Sequence, residues 1–165
     1  MNELEFLSVK DKDINFYLNS RNKLINRINS KNKNSIRKID HYIWWFTNKN
    51  RTSTLAKQDG KTKIILFEEK TKIKNQTFIL TGMISCANKI NFKTIFNSIK
   101  FQNKNLERLK NVINIVIVNK SNKFGNAQTR YFQLKKLEKN HVLYNNLKKF
   151  FSINENKTFI YYKNI

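Results

Sequence analysis

The sequence contains no proline, three glycines, one cysteine, two histidines and only 11 acidic residues. Each shortage removes a class of protein. A single cysteine, Cys86, excludes an intramolecular disulfide and fits a reducing compartment. With one Cys and two His, no recognisable metal-ligand spacing can be assembled. No Pro- or Gly-rich stretch marks a linker, so residues 1–165 read as a single domain. No window approaches the roughly 20 apolar residues of a membrane span, and MNELEFLSVKDKD carries no apolar signal-peptide core. The expected location is the cytoplasm, with no membrane span.

Lysine is abundant instead. Lys plus Arg number 33 and the formal net charge is +22, which favours an acidic partner. The excess is nearly all Lys, accompanied by heavy Asn and Ile use, a bias that an AT-rich genome writes into any protein. The Lys-rich segments 31–38, 70–74 and 100–110 read as solvated faces, or as attractors of phosphate. No aromatic RNA-binding strand, helix-turn-helix or zinc-finger spacing accompanies them. Aromatic residues at 13% and clear apolar runs argue against disorder.

Apolar periodicity orders the chain as β-α-α-β-β-β-α-β-α-β. A strand over Leu4 to Val9 precedes a helix with Ile14, Tyr17 and Leu18 on one face, capped by Asp11 or Asp13. After the polar RINSKNKNS, Ser35 caps a second helix whose Ile36, Ile39, Ile43 and Phe46 spacing predicts a core face, with His41 and Trp45 on its flank. Asp59-Gly60 predicts a hairpin, and Gly82 inside the strand Gln76 to Cys86 predicts a bulge or close approach. A helix with Phe92, Ile95, Phe96 and Ile99 inward, the strand Ile113 to Lys120, a short helix and a closing TFIYYKNI strand complete a mixed α/β domain with a parallel crossover.

Several short motifs fall in this order. The first helix ends in Arg21-Asn22, and the second carries His41 with Trp44 and Trp45, as His-x-x-Trp-Trp. Asn122 follows the late strand, with Gly125 and then Phe132-Gln133-Leu134 beyond it. In these features the chain resembles the GNAT superfamily of acyl-CoA-dependent N-acyltransferases, nearest to the bacterial branch that acetylates nucleotide-linked sugars and similar small amines. The resemblance implies a mixed, mostly antiparallel central sheet flanked by helices. It also implies acetyl-CoA as cosubstrate and a small-molecule primary amine, such as an amino sugar, as acceptor. The family's glycine-bearing pyrophosphate loop is missing from ISCANKINFKT, so Ser85, Cys86, Ala87, Asn88 and Lys89 would form that cradle. Asn119 and Asn122 would hold the pantetheine arm. Thr129 occupies the position of the family's acid tyrosine, with Tyr131 two residues on.

The residues themselves offer roles for this chemistry. Glu68, in the chain's only adjacent carboxylate pair, can take the proton that an attacking amine must lose. His41 can bind or deprotonate an amine, Trp44 and Trp45 can wall a groove, and Arg21 and Asn22 complete the expected acceptor site. Cys86 reads as a small buried hydrophobe rather than a nucleophile. The rival readings are a catalytically inactive domain of the same fold and a basic nucleic-acid-binding module.

Overall fold

Asp59 and Gly60 both take left-handed backbone angles, with φ of 52° and 70°. They close a two-residue turn between β2 (Arg51–Gln58) and β3 (Lys61–Ile73), with Gln58 opposite Lys61. Left-handed values at both turn positions match the natural twist of a hairpin, and Asp-Gly adopts them at little cost. The computed structural model describes residues 3–30 and 32–165; Lys31, the first residue of one Lys-rich segment, lies outside them.

On the hairpin, β1 (Glu5–Ser8) pairs antiparallel with β2. Parallel pairing of β4 (Gln76–Ser85) with β5 (Val112–Asn119) runs from Thr77↔Val112 to Leu80↔Ile115, and α4 (Phe92–Leu106) makes the crossover between them. Antiparallel to β5 lies β7 (Thr158–Asn164), which also carries the two-residue β6 (Lys135–Lys136). The strand order is β1-β2-β3-β4-β5-β7-β6, a mostly antiparallel sheet. The remaining helices are α1 (Ile14–Asn22), α2 (Leu24–Ile28), α3 (Lys38–Thr47), α5 (Lys123–Tyr131) and α6 (Val142–Phe150). Among the described residues no helix is long and apolar enough to cross a membrane.

The chain forms two compact units. The first takes the chain up to Glu69 together with Thr81–Leu109. Its hairpin alternates faces with the period of two that a pleated strand imposes. Leu55 and Ile65 pack with Tyr17, Ile84 and Cys86, while Ala56, Ile64 and Leu66 pack with Phe6, Ile95 and Phe101. The second takes Lys70–Leu80 and Lys110–Ile165. There Phe78, Ile113, Ile115 and Ile160 pack with Tyr144, Leu147 and Ile153.

Two helix faces differ from the periodicity. On α3 the inward line is buried His41 with partly buried Trp44 and Trp45, and Ile39, Ile43 and Phe46 are more than half exposed. A ten-residue helix buries one face only, and two indoles remove more surface from water than isoleucines do. On α4 the most buried line is Thr94, Ser98, Gln102 and Leu106, leaving Phe92 exposed. That polar stripe is satisfied internally: Ser98 Oγ donates to Thr94 O at 2.8 Å and Gln102 Nε2 to Phe67 O at 3.0 Å. Nor does Ser35 cap α3. The N-cap is Arg37, whose guanidinium grips Asp40 at 2.7 and 2.8 Å. Neither Asp11 nor Asp13 caps α1 through its side chain; Asp13 instead accepts from the Lys10 amide at 2.9 Å.

Candidate functional site

Tyr17 on α1 and His41 on α3 are each 2% exposed and their rings stack 5.8 Å apart. Trp44 lies 6.0 Å from Tyr17 and 5.4 Å from His41, and Trp45 stands edge-on to Tyr17 at 5.5 Å. Arg51, the first residue of β2, brings its guanidinium 5.2 Å from the Trp44 ring and 3.9 Å from that of Phe67. Arg21 lies one turn beyond Tyr17 on α1, and burial and the positive charge of Arg51 lower its pKa. The structure thus brings Arg21, His41, Trp44 and Trp45 together and adds Tyr17 and Arg51, which sequence reasoning missed. The i, i+4 spacing of Tyr17 and Arg21 was a readable signal; nothing local marks Arg51. Asn22 has a bracing role, since its side chain accepts from Ile36 N at 2.8 Å and donates to Ile36 O at 2.9 Å.

Burial lowers the His41 pKa below its ordinary 6.5, Arg51 lowers it further, and a hydrogen bond with the Ile14 backbone opposes the shift. The unfolded chain therefore binds a proton before the folded one does, and stability falls as pH drops below 6.5 toward the depressed value. Glu68 acts in the opposite sense. Burial raises its pKa above 4.5, a hydrogen bond with Gln102 pulls it back, and stability falls as pH rises past 4.5. Denaturant midpoints from pH 4 to 7.5 check both signs: E68Q should remove the fall in stability that begins above pH 4.5 and leave the loss that His41 causes below pH 6.5.

At the end of β4 an asparagine from α2 mimics a strand. Asn26 Oδ1 accepts from Ser85 N at 2.9 Å, while its Nδ2 donates to Ser85 O at 2.8 Å and to Ser20 O at 2.7 Å. The Cys86 amide donates to Lys63 O at 2.8 Å, and the Cys86 carbonyl accepts from Lys23 Nζ at 2.6 Å. Of the five residues expected in the phosphate cradle, Ser85 and Cys86 thus have their amides committed within the protein. The amides of Ala87, Asn88 and Lys89 donate to no described residue, and they stand just ahead of α4, whose N-cap Asn91 accepts from Thr94 N at 2.7 Å. Burial pushes the Cys86 thiol up, as in an inert structural cysteine. Asn26→Ala should cost about 1–2 kcal/mol, because it strands the Ser85 N–H; a lowered denaturation midpoint with an unchanged m-value checks this.

In the second unit, Asn119 Oδ1 accepts from Ser121 N and Oγ at 3.1 and 2.9 Å, and Asn122 Oδ1 caps α5 through Gly125 N at 2.9 Å. Thr129 is buried and donates its hydroxyl to Asn126 O at 2.9 Å, whereas Tyr131 is 65% exposed. Among the described residues no group of three or more His, Cys, Asp or Glu could hold a metal.

No protein-family model matches the sequence, and no curated protein does. Solved structures do match, along nearly the whole chain. A domain from Methanocaldococcus jannaschii DSM 2661 superposes with a TM-score of 0.77 at 15% identity, over 99% of both chains. An N-acetyltransferase from Staphylococcus aureus Mu50 matches with 0.73 at 11% identity, again over 99% of both. RimL, a ribosomal L7/L12 alpha-N-protein acetyltransferase in complex with coenzyme A, matches with 0.73 at 9% identity, over 100% of this chain and 96% of that one. The class is therefore settled at the level of architecture: this chain has the fold of the GNAT acetyltransferases.

Proposed function

We propose that the chain, as a single domain, is an N-acyltransferase that moves an acyl group, in the first instance acetyl, from acyl-CoA to a primary amine of a small molecule. The observation that carries this reading is the whole-length likeness to N-acetyltransferases, one of them in complex with coenzyme A. Ala87, Asn88 and Lys89 supply backbone donors and one positive charge for the pyrophosphate, beside the start of a 15-residue helix. Ser85 and Cys86 shape that cradle rather than lining it with amides. Asn119 and Asn122 are the candidates for the pantetheine amides, through the donor ends of their side chains.

Acetyl-CoA supplies the acyl group as a thioester; the protein's own part is positioning and proton transfer. A protonated amine cannot attack, and Glu68, half-buried with a raised pKa, is the proposed acceptor of its proton. Buried neutral His41 is the second group able to take that proton. Tyr131 is the candidate that returns a proton to the departing thiolate sulfur. E68Q should lower kcat by about 10²–10⁴-fold if Glu68 is the base.

Melting with acetyl-CoA is the direct test. At 100 times Kd a ligand of the folded state adds about 2.7 kcal/mol. For a chain of this length that is a rise of roughly 5–10 °C. A flat melting temperature at millimolar acetyl-CoA defeats the proposal. The +22 charge favours one second reading, a nucleic-acid-binding module of the same fold. Retention on an unrelated oligonucleotide at low salt, lost steeply as salt rises, is what that reading requires.

A further inference from the structure

Buried polar atoms nearly always have hydrogen-bond partners. Four that lack one among the described residues share a neighbourhood in the first unit: Tyr17 Oη, Arg21 Nη1, His41 Nε2 and Arg51 Nε. The ring distances already given place Tyr17, His41, Trp44 and Arg51 together, and the charge of Arg51 helps to lower the Arg21 pKa. The partners of both guanidinium groups stand at long distances. The Glu69 carboxylate stands 3.7 Å from Arg51 Nη1, and the hydrogen bond from Arg21 Nη2 to Asn32 O is long, at 3.4 Å. Two partly buried cations that repel each other, with a phenol and aromatic walls beside them, form an arrangement suited to an anion.

Three of the four atoms carry protons to donate: the Tyr17 hydroxyl, Arg21 Nη1 and Arg51 Nε. Guanidinium N–H groups suit carboxylate and phosphate oxygens, and burial strengthens each such bond. Trp44 and Phe67 stack under Arg51 and hold its plane. We propose that Tyr17, Arg21, His41 and Arg51 anchor an oxyanion, a carboxylate or phosphate, carried by the amine acceptor. In its acceptor half this rests on the acyltransferase reading above. The enzyme would then take amino acids or amino phosphates in preference to neutral amines. His41 Nε2, an acceptor when the ring is neutral, faces the same ligand and can receive its ammonium or hydroxyl proton.

The chain's two histidines, His41 and His141, give an internally controlled readout. Proton NMR of the full-length protein at pH 7.5 should follow both Cε1–H signals during titration with sodium phosphate or sodium succinate, with ionic strength held constant by sodium chloride. The His41 signal should move along a saturating curve while His141 stays in place, and the tighter of the two probes identifies the favoured anion. R21Q and R51Q should each weaken the midpoint at least tenfold, K149Q should leave it unchanged, and R51K, which keeps the charge but loses Nε, should behave like R51Q. An unmoved His41 overturns the anchor. So does a drift of both histidines without saturation, or a curve that the arginine variants do not alter. If acetyl-CoA raises the melting temperature but His41 does not respond, the acyltransferase reading stands and the anchor falls; the converse pair of results keeps the anchor and removes the transferase. Equal kcat/KM for an amino acid and its amide would likewise remove the acceptor assignment.

Discussion

Phe78→Ala should be the most damaging single truncation in the second unit, at a cost of about 3–5 kcal/mol. The ring is 1% exposed and belongs to the cluster formed by Ile113, Ile115, Leu147 and Ile160. It sits on β4 in register with Ile113 of β5, where strand pairing and side-chain packing depend on each other. Removing the ring deletes transfer energy and leaves a void that close-packed neighbours cannot fill. The expected record is a lower denaturation midpoint together with faster amide exchange along Ile113 to Val118. An unchanged midpoint would mean that the cluster collapses onto the gap.

Gly82→Val is expected to cost about 3 kcal/mol through the opposite fault, overpacking. A Cβ at Gly82 would stand 2.4 Å from Phe67 Cζ and 2.8 Å from its Cε1, both impossible distances. A phenyl ring alone can swing aside, but this one carries the Arg51 guanidinium at 3.9 Å. Displacing it therefore disturbs the cation that stacks on Trp44 and lies beside His41. The double variant Gly82→Val/Phe67→Leu should recover much of the stability, because contacting residues couple by about 0.5–3 kcal/mol. It should not recover the anion response of His41, which separates packing from the arrangement of the site. Full additivity in the cycle would mean that the ring and the glycine do not meet.

The same glycine shows how much was legible in the sequence. A Gly inside an apolar strand signals a close approach, and Asp59-Gly60 signals its hairpin, because each depends on backbone sterics within a few residues. The parallel crossover through α4 was readable from the strand–helix–strand order of the second half. The inward side of α3 was not. Its Ile39, Ile43 and Phe46 stripe is as regular as any core face, but burial goes to the side with the larger rings, and that choice depends on Tyr17 and Arg51 supplied from elsewhere. On α6, Tyr144 and Leu147 are spaced for a helix and both are buried, yet the asparagines between them weaken the signal. Asn26 is the clearest case of a role invisible locally. Its amide replaces a missing strand partner 59 positions away, and no pattern in LINRI announces it.

One border of the sheet is closed by β6, just Lys135 and Lys136, both exposed. A longer flat ribbon there would offer a row of unpaired backbone groups to a neighbour. With two residues and two ammonium groups, an approaching copy finds almost no template and meets like charge. The lysine bias that blurs any reading of partners from composition thus also guards this margin against runaway stacking into aggregates.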